Sequence, residues 1–348
     1  MTSDPYGLSR VVGQPGVLPQ QAERLDPSLP IRAGELLVDV DSLNVDAASF
    51  KQIKDQAGGD PAKVVETILG IVRRRGKMQN PVTGSGGMLI GRVREVGPDH
   101  PAAGTLAPGD RIATLVSLTL TPLQIDEVKA VHPAIDRVDV RGHAILFASG
   151  IHARLPPDMP DTLALAALDV CGAPALVARF VKPGMTVAVL GAGKSGALCL
   201  AQARRQLGAG GRLIALDVSE RALEALRGLG LGAATLAVDA TRAVEVMERV
   251  REATSGALCD LVVNCASVPG TEMATILSVR GGGTAVFFSM ATSFSAAALG
   301  AEGVGKDVTM IVGNGYAPGH ADLTLELLRS TPALRRLFEQ RYARAPET

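Results

Sequence analysis

Gly191, Gly193, Gly196 and Asp217 form the clearest chemical pattern in the chain. The apolar, β-branched run Thr186–Leu190 leads into the three glycines in G-x-G-x-x-G spacing, an amphipathic helical stretch follows, and the next apolar run ends in Asp217. The first glycine permits a tight turn, the second lets backbone approach a pyrophosphate, and the third lets helix pack close on strand. A helix starting there offers free N–H groups and a positive dipole to phosphate. An acid about 20 residues further on can accept both hydroxyls of a ribose. The arrangement implies dinucleotide binding. Gly193-Lys194-Ser195 also reads like the end of a P-loop. That motif needs a glycine where Ala188 stands, inside the apparent strand, and it leaves Asp217 without a task. A glycine-rich turn with no ligand is the remaining reading.

Around this turn, Lys194 and Ser195 are expected at the pyrophosphate. Cys265, Ala266 and Ser267, and Phe288, Ser289 and Met290, end apolar runs at what should be the carboxyl edge of a sheet, where ligands bind in open α/β folds. A nicotinamide and its ribose are expected there. The charge of Asp217 favours NAD, because it repels a 2′-phosphate; Arg221 keeps NADP open.

The elements that must position these residues differ between the two parts of the chain. Its 348 residues suffice for two domains, and 47% of them are apolar. From about residue 184, apolar runs (Thr186–Leu190, Arg212–Leu216, Leu261–Cys265, Thr284–Phe288, Val308–Val312) alternate with helical stretches (Leu198–Leu207, Glu220–Leu229, Ala243–Ala253, Met273–Val279, Asp322–Leu328). This is the rhythm of a doubly wound parallel sheet, an α/β fold. Earlier, Glu35–Leu43, Leu89–Val96 and Arg111–Val116 have strand character, and His132–His152 suggests more short strands. Pro61–Arg75, closed by Gly76, is the one clear helix. Many short strands with Pro and Gly turns suggest a partly open barrel. The expected division is a β-rich domain over 1–162 and a dinucleotide domain over 163–318, joined by a helix over about Leu163–Phe180. The C-terminal helices, 319–348, are candidates to pack on the first domain.

Composition narrows the partners. Lys+Arg and Asp+Glu both number 35, and this zero balance argues against nucleic acid or an anionic membrane. The apolar stretch Leu163–Val181 is interrupted by Asp169, Pro174 and Arg179, too often to span a bilayer. With no apolar signal core at the N-terminus, the cytoplasm is expected. Cys171, Cys199, Cys259 and Cys265 form no C-x-x-C pair, and five scattered histidines form no ligand spacing; no metal is expected. Cys199 and Cys265 read as small buried hydrophobes.

Several segments together resemble the medium-chain dehydrogenase/reductase superfamily: Val93–Gly97 (VREVG), Pro108–Ile112 (PGDRI), Val181–Gly196 (VKPGMTVAVLGAGKSG), Asp260–Ser267 (DLVVNCAS) and Arg280–Met290 (RGGGTAVFFSM). The resemblance implies a GroES-like barrel domain followed by a Rossmann domain, with the active site in the cleft between them. It also implies pairing of the last Rossmann strands across a two-fold axis, hence a homodimer as the first expectation. Zinc-dependent members carry a Cys where this chain has Leu43-Asn44-Val45-Asp46, and G-H-E where it has Gly84-Ser85-Gly86. Two of three ligand positions therefore hold poor ligands, and the four-Cys lobe is absent; no catalytic zinc is expected.

A narrower resemblance rests on Gly16–Leu18, Val45–Lys54 (VDAASFKQIK), Gly58–Asp60, Asn80–Gly91 (NPVTGSGGMLIG), Ala113–Pro122 (ATLVSLTLTP) and Ala164–Pro174 (ALAALDVCGAP). These look like the L-erythro-3,5-diaminohexanoate dehydrogenase family of lysine fermentation. That family oxidatively deaminates its small diamino-acid substrate to 5-amino-3-oxohexanoate and ammonia, with hydride transfer to the nicotinamide. Spacing alone stops at a zinc-free nicotinamide oxidoreductase. A quinone or enone reductase of the same superfamily is an alternative, and a non-catalytic dinucleotide-binding protein is another of a different class.

A substrate with two ammonium groups and one carboxylate calls for carboxylates. Asp46 and Asp169 lie on the segments that supply zinc ligands in the relatives, and are the candidates for base and ammonium clamp. Asp46 also suits a helix N-cap before Ala47-Ala48-Ser49. Asp169, on an otherwise apolar helix, is expected to be buried and to need a cation. Ser85, with Thr83, is a candidate to hydrogen-bond substrate or the nicotinamide amide, with a plain tight turn as the equal alternative. Lys51 and Lys54 are candidates for the substrate carboxylate, each with a solvated helix face as the commoner fate.

Overall fold

The computed structural model describes residues 4–313 and 315–342. The chain divides into two compact units, Met1–Asp158 and Met159–Ala343.

In the first unit, β1 (Glu35–Asn44) is followed by α1 (Ala47–Gln56), α2 (Pro61–Arg75), β2 (Met88–Val96), β3 (Arg111–Thr114), β4 (Leu123–His132), β5 (Arg137–Phe147) and β6 (His152–Arg154). The strands form one antiparallel sheet in the order β4-β5-β1-β2-β3-β6. Its two edge strands are not paired with each other, so the barrel is open. Leu36, Val38, Leu43, Leu89 and Val138 pack on the inner face with Phe50 and Ile53 of α1 and Ile68 of α2. Each such fully buried side chain contributes about 1.5–3 kcal/mol. The segment expected as several short strands is mostly β5, eleven residues long. The helix that the sequence offered as the alternative role for Asp46 is present as α1. It is short and half polar, and it starts because the Asp46 carboxylate caps the Ser49 N–H.

In the second unit, α3 (Asp161–Leu168) and α4 (Gly172–Phe180) precede β7 (Thr186–Leu190), α5 (Lys194–Leu207), β8 (Arg212–Asp217), α6 (Glu220–Arg227), β9 (Ala234–Ala237), α7 (Ala243–Ala253), β10 (Cys259–Asn264), α8 (Glu272–Ser278), β11 (Val279–Phe287), α9 (Phe294–Gly303), β12 (Val308–Val312), α10 (His320–Ser330) and α11 (Pro332–Tyr342). The sheet is wholly parallel, in the order β12-β11-β10-β7-β8-β9. The order reverses between β7 and β10, which makes the crevice at their carboxyl ends the ligand position of such a sheet. Val187, Val189, Val262 and Val263 are fully or almost fully buried, as strands covered on both faces require.

Two differences from the sequence reading concern the ends of this unit. The single linking helix is two helices bent by 48°, with Asp169 at the C-cap of α3. Among the described residues, no single helix is long and apolar enough to cross a membrane. The C-terminal helices do not belong to the first unit: α10 packs on α3, α4 and α5, and α11 on α3 and α5. Their apolar faces, Leu325, Leu328, Leu334 and Phe338, are buried there.

Candidate dinucleotide and substrate sites

The glycine turn after β7 is built by close approach. Gly191 has φ 97°, a left-handed value that favours glycine. A Cβ on Gly196 would lie 1.8 Å from the Gly191 carbonyl oxygen, so helix and turn touch at that point. A Cβ on Gly193 would meet nothing within 4 Å. Glycine there is not demanded by the protein's own packing, which fits a position kept bare for a ligand. α5 begins at Lys194 with no side chain capping its N-terminus. Its first-turn N–H groups point where a phosphate belongs. These features fit a dinucleotide pyrophosphate.

Asp217 ends β8 and holds the turn. One carboxylate oxygen accepts the Ala192 N–H at 2.7 Å, and the other the Ser219 N–H at 2.8 Å. Val218 beyond it is 74% exposed. Arg221 stands exposed on the first turn of α6.

Asn264 organises the opposite wall, and the sequence reading missed it. Its side chain is fully buried; it donates to Thr271 Oγ1 at 2.8 Å and to Thr275 Oγ1 at 2.9 Å, and accepts the Ala266 N–H at 3.0 Å. Its backbone carbonyl accepts the N–H groups of Phe288 and Ser289. One residue thus fixes both loops named from sequence, Cys265-Ala266-Ser267 and Phe288-Ser289-Met290. An asparagine ending an apolar run was the available signal. Ser267 and Met290 are exposed, and Ser289 accepts the Ala291 N–H. Cys199 and Cys265 are buried with their sulfurs 3.9 Å apart, as small apolar side chains would be; burial holds the Cys199 thiol well above its ordinary value.

The structure corrects the reading of Asp169. It is not buried on an apolar helix face: the helix ends one residue earlier, its side chain is 50% exposed, and its carboxylate pairs with Lys194 Nζ at 2.6 Å. Asp169 and Lys194 therefore come together at the start of α5. Lys194 Nζ also lies 5.8 Å from the centre of the Tyr342 ring.

The second cluster lies wholly in the first unit, where Asp46 and the Ser85 turn come together. Asp46 is the N-cap foreseen: its Oδ1 accepts the Ser49 N–H at 3.0 Å. Its Oδ2 is buried without a hydrogen-bond partner. A Cβ on Gly87 would lie 2.1 Å from the Asn44 carbonyl oxygen and 2.8 Å from the Asp46 nitrogen, so the turn presses directly on this segment. On the turn's other side, Gly87 accepts the Leu118 N–H at 2.9 Å.

The turn is anchored by Asn80. Its fully buried side chain accepts the Val82 N–H at 2.8 Å and donates to Gln52 Oε1 of α1 at 2.8 Å. Ser49, the residue capped by Asp46, bonds Thr83 through its hydroxyl. Thr83 Oγ1 accepts the Ser85 N–H, and the Ser85 carbonyl accepts the Asn80 N–H. The uncommon string Asn80–Gly87 is thus a cage tied to the helix that Asp46 starts.

Electrostatics here is acidic. The Val45 N–H bonds the Asp136 carbonyl at 3.0 Å, which sets Asp136 beside Asp46. Burial raises the Asp136 carboxyl above its usual value; Lys54 opposes that rise, and the Asp46 charge adds to it. Lys51 is 75% exposed and pairs with Asp55, so it takes the solvated fate. Among the described residues no group of three His, Cys, Asp or Glu side chains is placed to hold a metal ion.

Proteins of known sequence and structure carry the same organisation. Residues 9–156 match the N-terminal domain family of L-erythro-3,5-diaminohexanoate dehydrogenase. Two relatives bearing that name, from Acetoanaerobium sticklandii and Fusobacterium nucleatum, are each 53% identical over 97% of this chain and 98% of their own. The alcohol dehydrogenase of Thermus sp. ATN1 superposes with a TM-score of 0.52 at 22% identity, covering 90% of this chain and 89% of its own. A mycobacterial protein solved with NADPH does so with a TM-score of 0.56 at 19% identity, covering 95% and 94%. These two share the fold. On the near full-length identity to both named relatives, the chain belongs to the L-erythro-3,5-diaminohexanoate dehydrogenase family.

Proposed function

We propose that this protein oxidises the carbon bearing the 3-amino group of L-erythro-3,5-diaminohexanoate. The carbon loses a hydride and its ammonium nitrogen a proton, water adds to the resulting iminium, and the products are 5-amino-3-oxohexanoate and ammonium. Near full-length identity to two proteins of that name carries the reading. A nicotinamide dinucleotide supplies the hydride acceptor when bound. The glycine turn, the uncapped start of α5 and Asp217 are the residues to hold it. The acidic ribose end favours NAD, with Arg221 leaving NADP as the lesser partner.

In this proposal the carboxylates divide the substrate's charges. Asp46 turns a buried, unpartnered oxygen to an ammonium, where a buried acceptor is costly to leave unpaired. Ser85 hydrogen-bonds substrate or the carboxamide from the Asn80 cage. Asp169 is the second carboxylate, as base or clamp. Lys194 must let go of it to reach a pyrophosphate, so cofactor binding releases Asp169 for a second cation.

Two further features belong to the proposal. β12 is an edge strand with Met310 and Val312 exposed, 37% and 54%, and a second copy pairing there gives a homodimer. Four unpaired cysteines suit a reducing compartment, the cytoplasm.

The test is NAD reduction with 3,5-diaminohexanoate at alkaline pH, with one ammonium released per NADH formed. Monoamines such as 3-aminobutanoate should be poor substrates. No NADH with the diamino acid would refute the assignment. Zinc that is stoichiometric and needed for activity would refute the metal-free mechanism, and a strictly monomeric protein by light scattering at micromolar concentration would refute the dimer.

A further inference from the structure

The segment Ser117-Leu118-Thr119 lies against the glycine turn on the side away from Asp46. Leu118 donates its N–H to Gly87, and a Cβ on Gly86 would lie 3.1 Å from the Thr119 nitrogen. Adjacent glycines of one turn thus touch Asp46 and Thr119. Thr119 is 1% exposed, and its hydroxyl has no hydrogen-bond partner. The neighbouring hydroxyls are accounted for: Ser117 accepts the Thr119 N–H, and Thr121 donates to the Ser117 carbonyl. A buried hydroxyl left unpaired costs stability, and valine would fill the same volume without that cost. A hydroxyl kept there is available to a partner from outside the chain.

We propose that Thr119 binds the substrate, its hydroxyl oxygen accepting an N–H from one of the ammonium groups while Asp46 Oδ2, across the turn, meets the substrate's positive charge. The inference rests on the diamino-acid reading above and adds a specificity residue to it. Primary ammonium groups carry three donors, and a neutral acceptor beside a charged one satisfies more of them than a carboxylate alone. A substrate with no ammonium group at that place is rejected, because both acceptors are then buried unpaired.

The experiment compares the wild-type protein with Thr119→Val and Thr119→Ser. For Thr119→Val, KM for 3,5-diaminohexanoate should rise about 10- to 100-fold, the range for a hydrogen bond to a charged group. The KM for NAD should hold, and Tm should not fall, because no internal bond is lost. Thr119→Ser should restore most of the substrate affinity. An unchanged substrate KM in Thr119→Val overturns the proposal. So does a lowered Tm that Thr119→Ser fails to rescue, which would show a packing role. A wild-type protein without turnover overturns the diamino-acid reading itself, a result distinct from a variant that behaves like wild type.

Discussion

Both units present a glycine-rich turn beside an aspartate, and the two turns are held by different means. The turn at Gly191–Gly196 is shaped by backbone: a left-handed glycine, a helix packed hard on a carbonyl, and free N–H groups. Its aspartate reaches back to brace it, Asp217 on the Ala192 N–H. The turn at Gly84–Gly87 also has left-handed glycines, Gly84 and Gly87, but side chains fasten it, with Asn80, Ser49 and Thr83 tying it to α1. Backbone recognition serves a ligand that many proteins share, and it needs only spacing. Side-chain recognition serves a ligand few proteins share, and it needs particular residues brought from distant positions.

The contrast breaks first at the glycines. Gly196→Ala sets a Cβ 1.8 Å from a carbonyl oxygen, and Gly87→Ala one 2.1 Å from another. We expect the first to abolish dinucleotide binding and the second to abolish turnover while NAD still binds, both measured by calorimetry and initial rates. Gly193→Ala meets nothing in the protein, so Tm should hold while NAD affinity falls. Normal NAD binding by Gly193→Ala would mean that the pyrophosphate does not approach there.

The carboxylates come next. Whichever of Asp46→Asn and Asp169→Asn removes the base should cut kcat by about 10²–10⁴-fold, and the other should chiefly raise KM. Asp46→Asn retains a capping side chain, so its Tm should change little. Two variants with equal, small effects would remove both from the proton path.

Smaller effects sharpen the comparison. Asn80→Ala leaves the Val82 N–H without its acceptor and should lower stability by about 1–3 kcal/mol, with kcat down and NAD affinity kept. Asp217→Ala should weaken NAD by a similar amount and NADP less. Because Asp217 also braces Ala192, some loss with NADP is expected, and equal losses would mean the carboxylate acts on the turn alone. Lys51→Ala, on an exposed pair, should leave both Tm and kinetics essentially unchanged.

Legibility in the sequence follows the same line. The parallel sheet was readable because strands buried on both faces are continuous apolar runs, and β7 fell on the residues expected, Thr186–Leu190. β9 went unread because it is a half-exposed edge strand, and α9 because alanine and glycine carry little periodicity. The break between α3 and α4 hid inside an apolar stretch, and with it the exposure of Asp169. The glycine turn after β7 was legible as a strand, a left-handed glycine and a helix start. The second turn was legible as a resemblance and as an N-cap, but its cage joins residues 28 to 34 apart, and no local pattern announces that. Thr119 was missed because nothing in its neighbourhood shows that its hydroxyl is buried, and Asn264 because one asparagine closing an apolar run is a weak signal.

The Lys194–Asp169 pair has a consequence in ionic strength. Lysine–phosphate attraction weakens as salt rises, with a Debye length of about 8 Å at physiological strength. The half-exposed ion pair with Asp169, which Lys194 leaves for the pyrophosphate under the proposal above, weakens in the same medium. Loss of attraction is offset by loss of competition, so dinucleotide affinity should be flatter against salt than its phosphate charge suggests. Asp169→Asn removes the offset, and the same titration should then steepen.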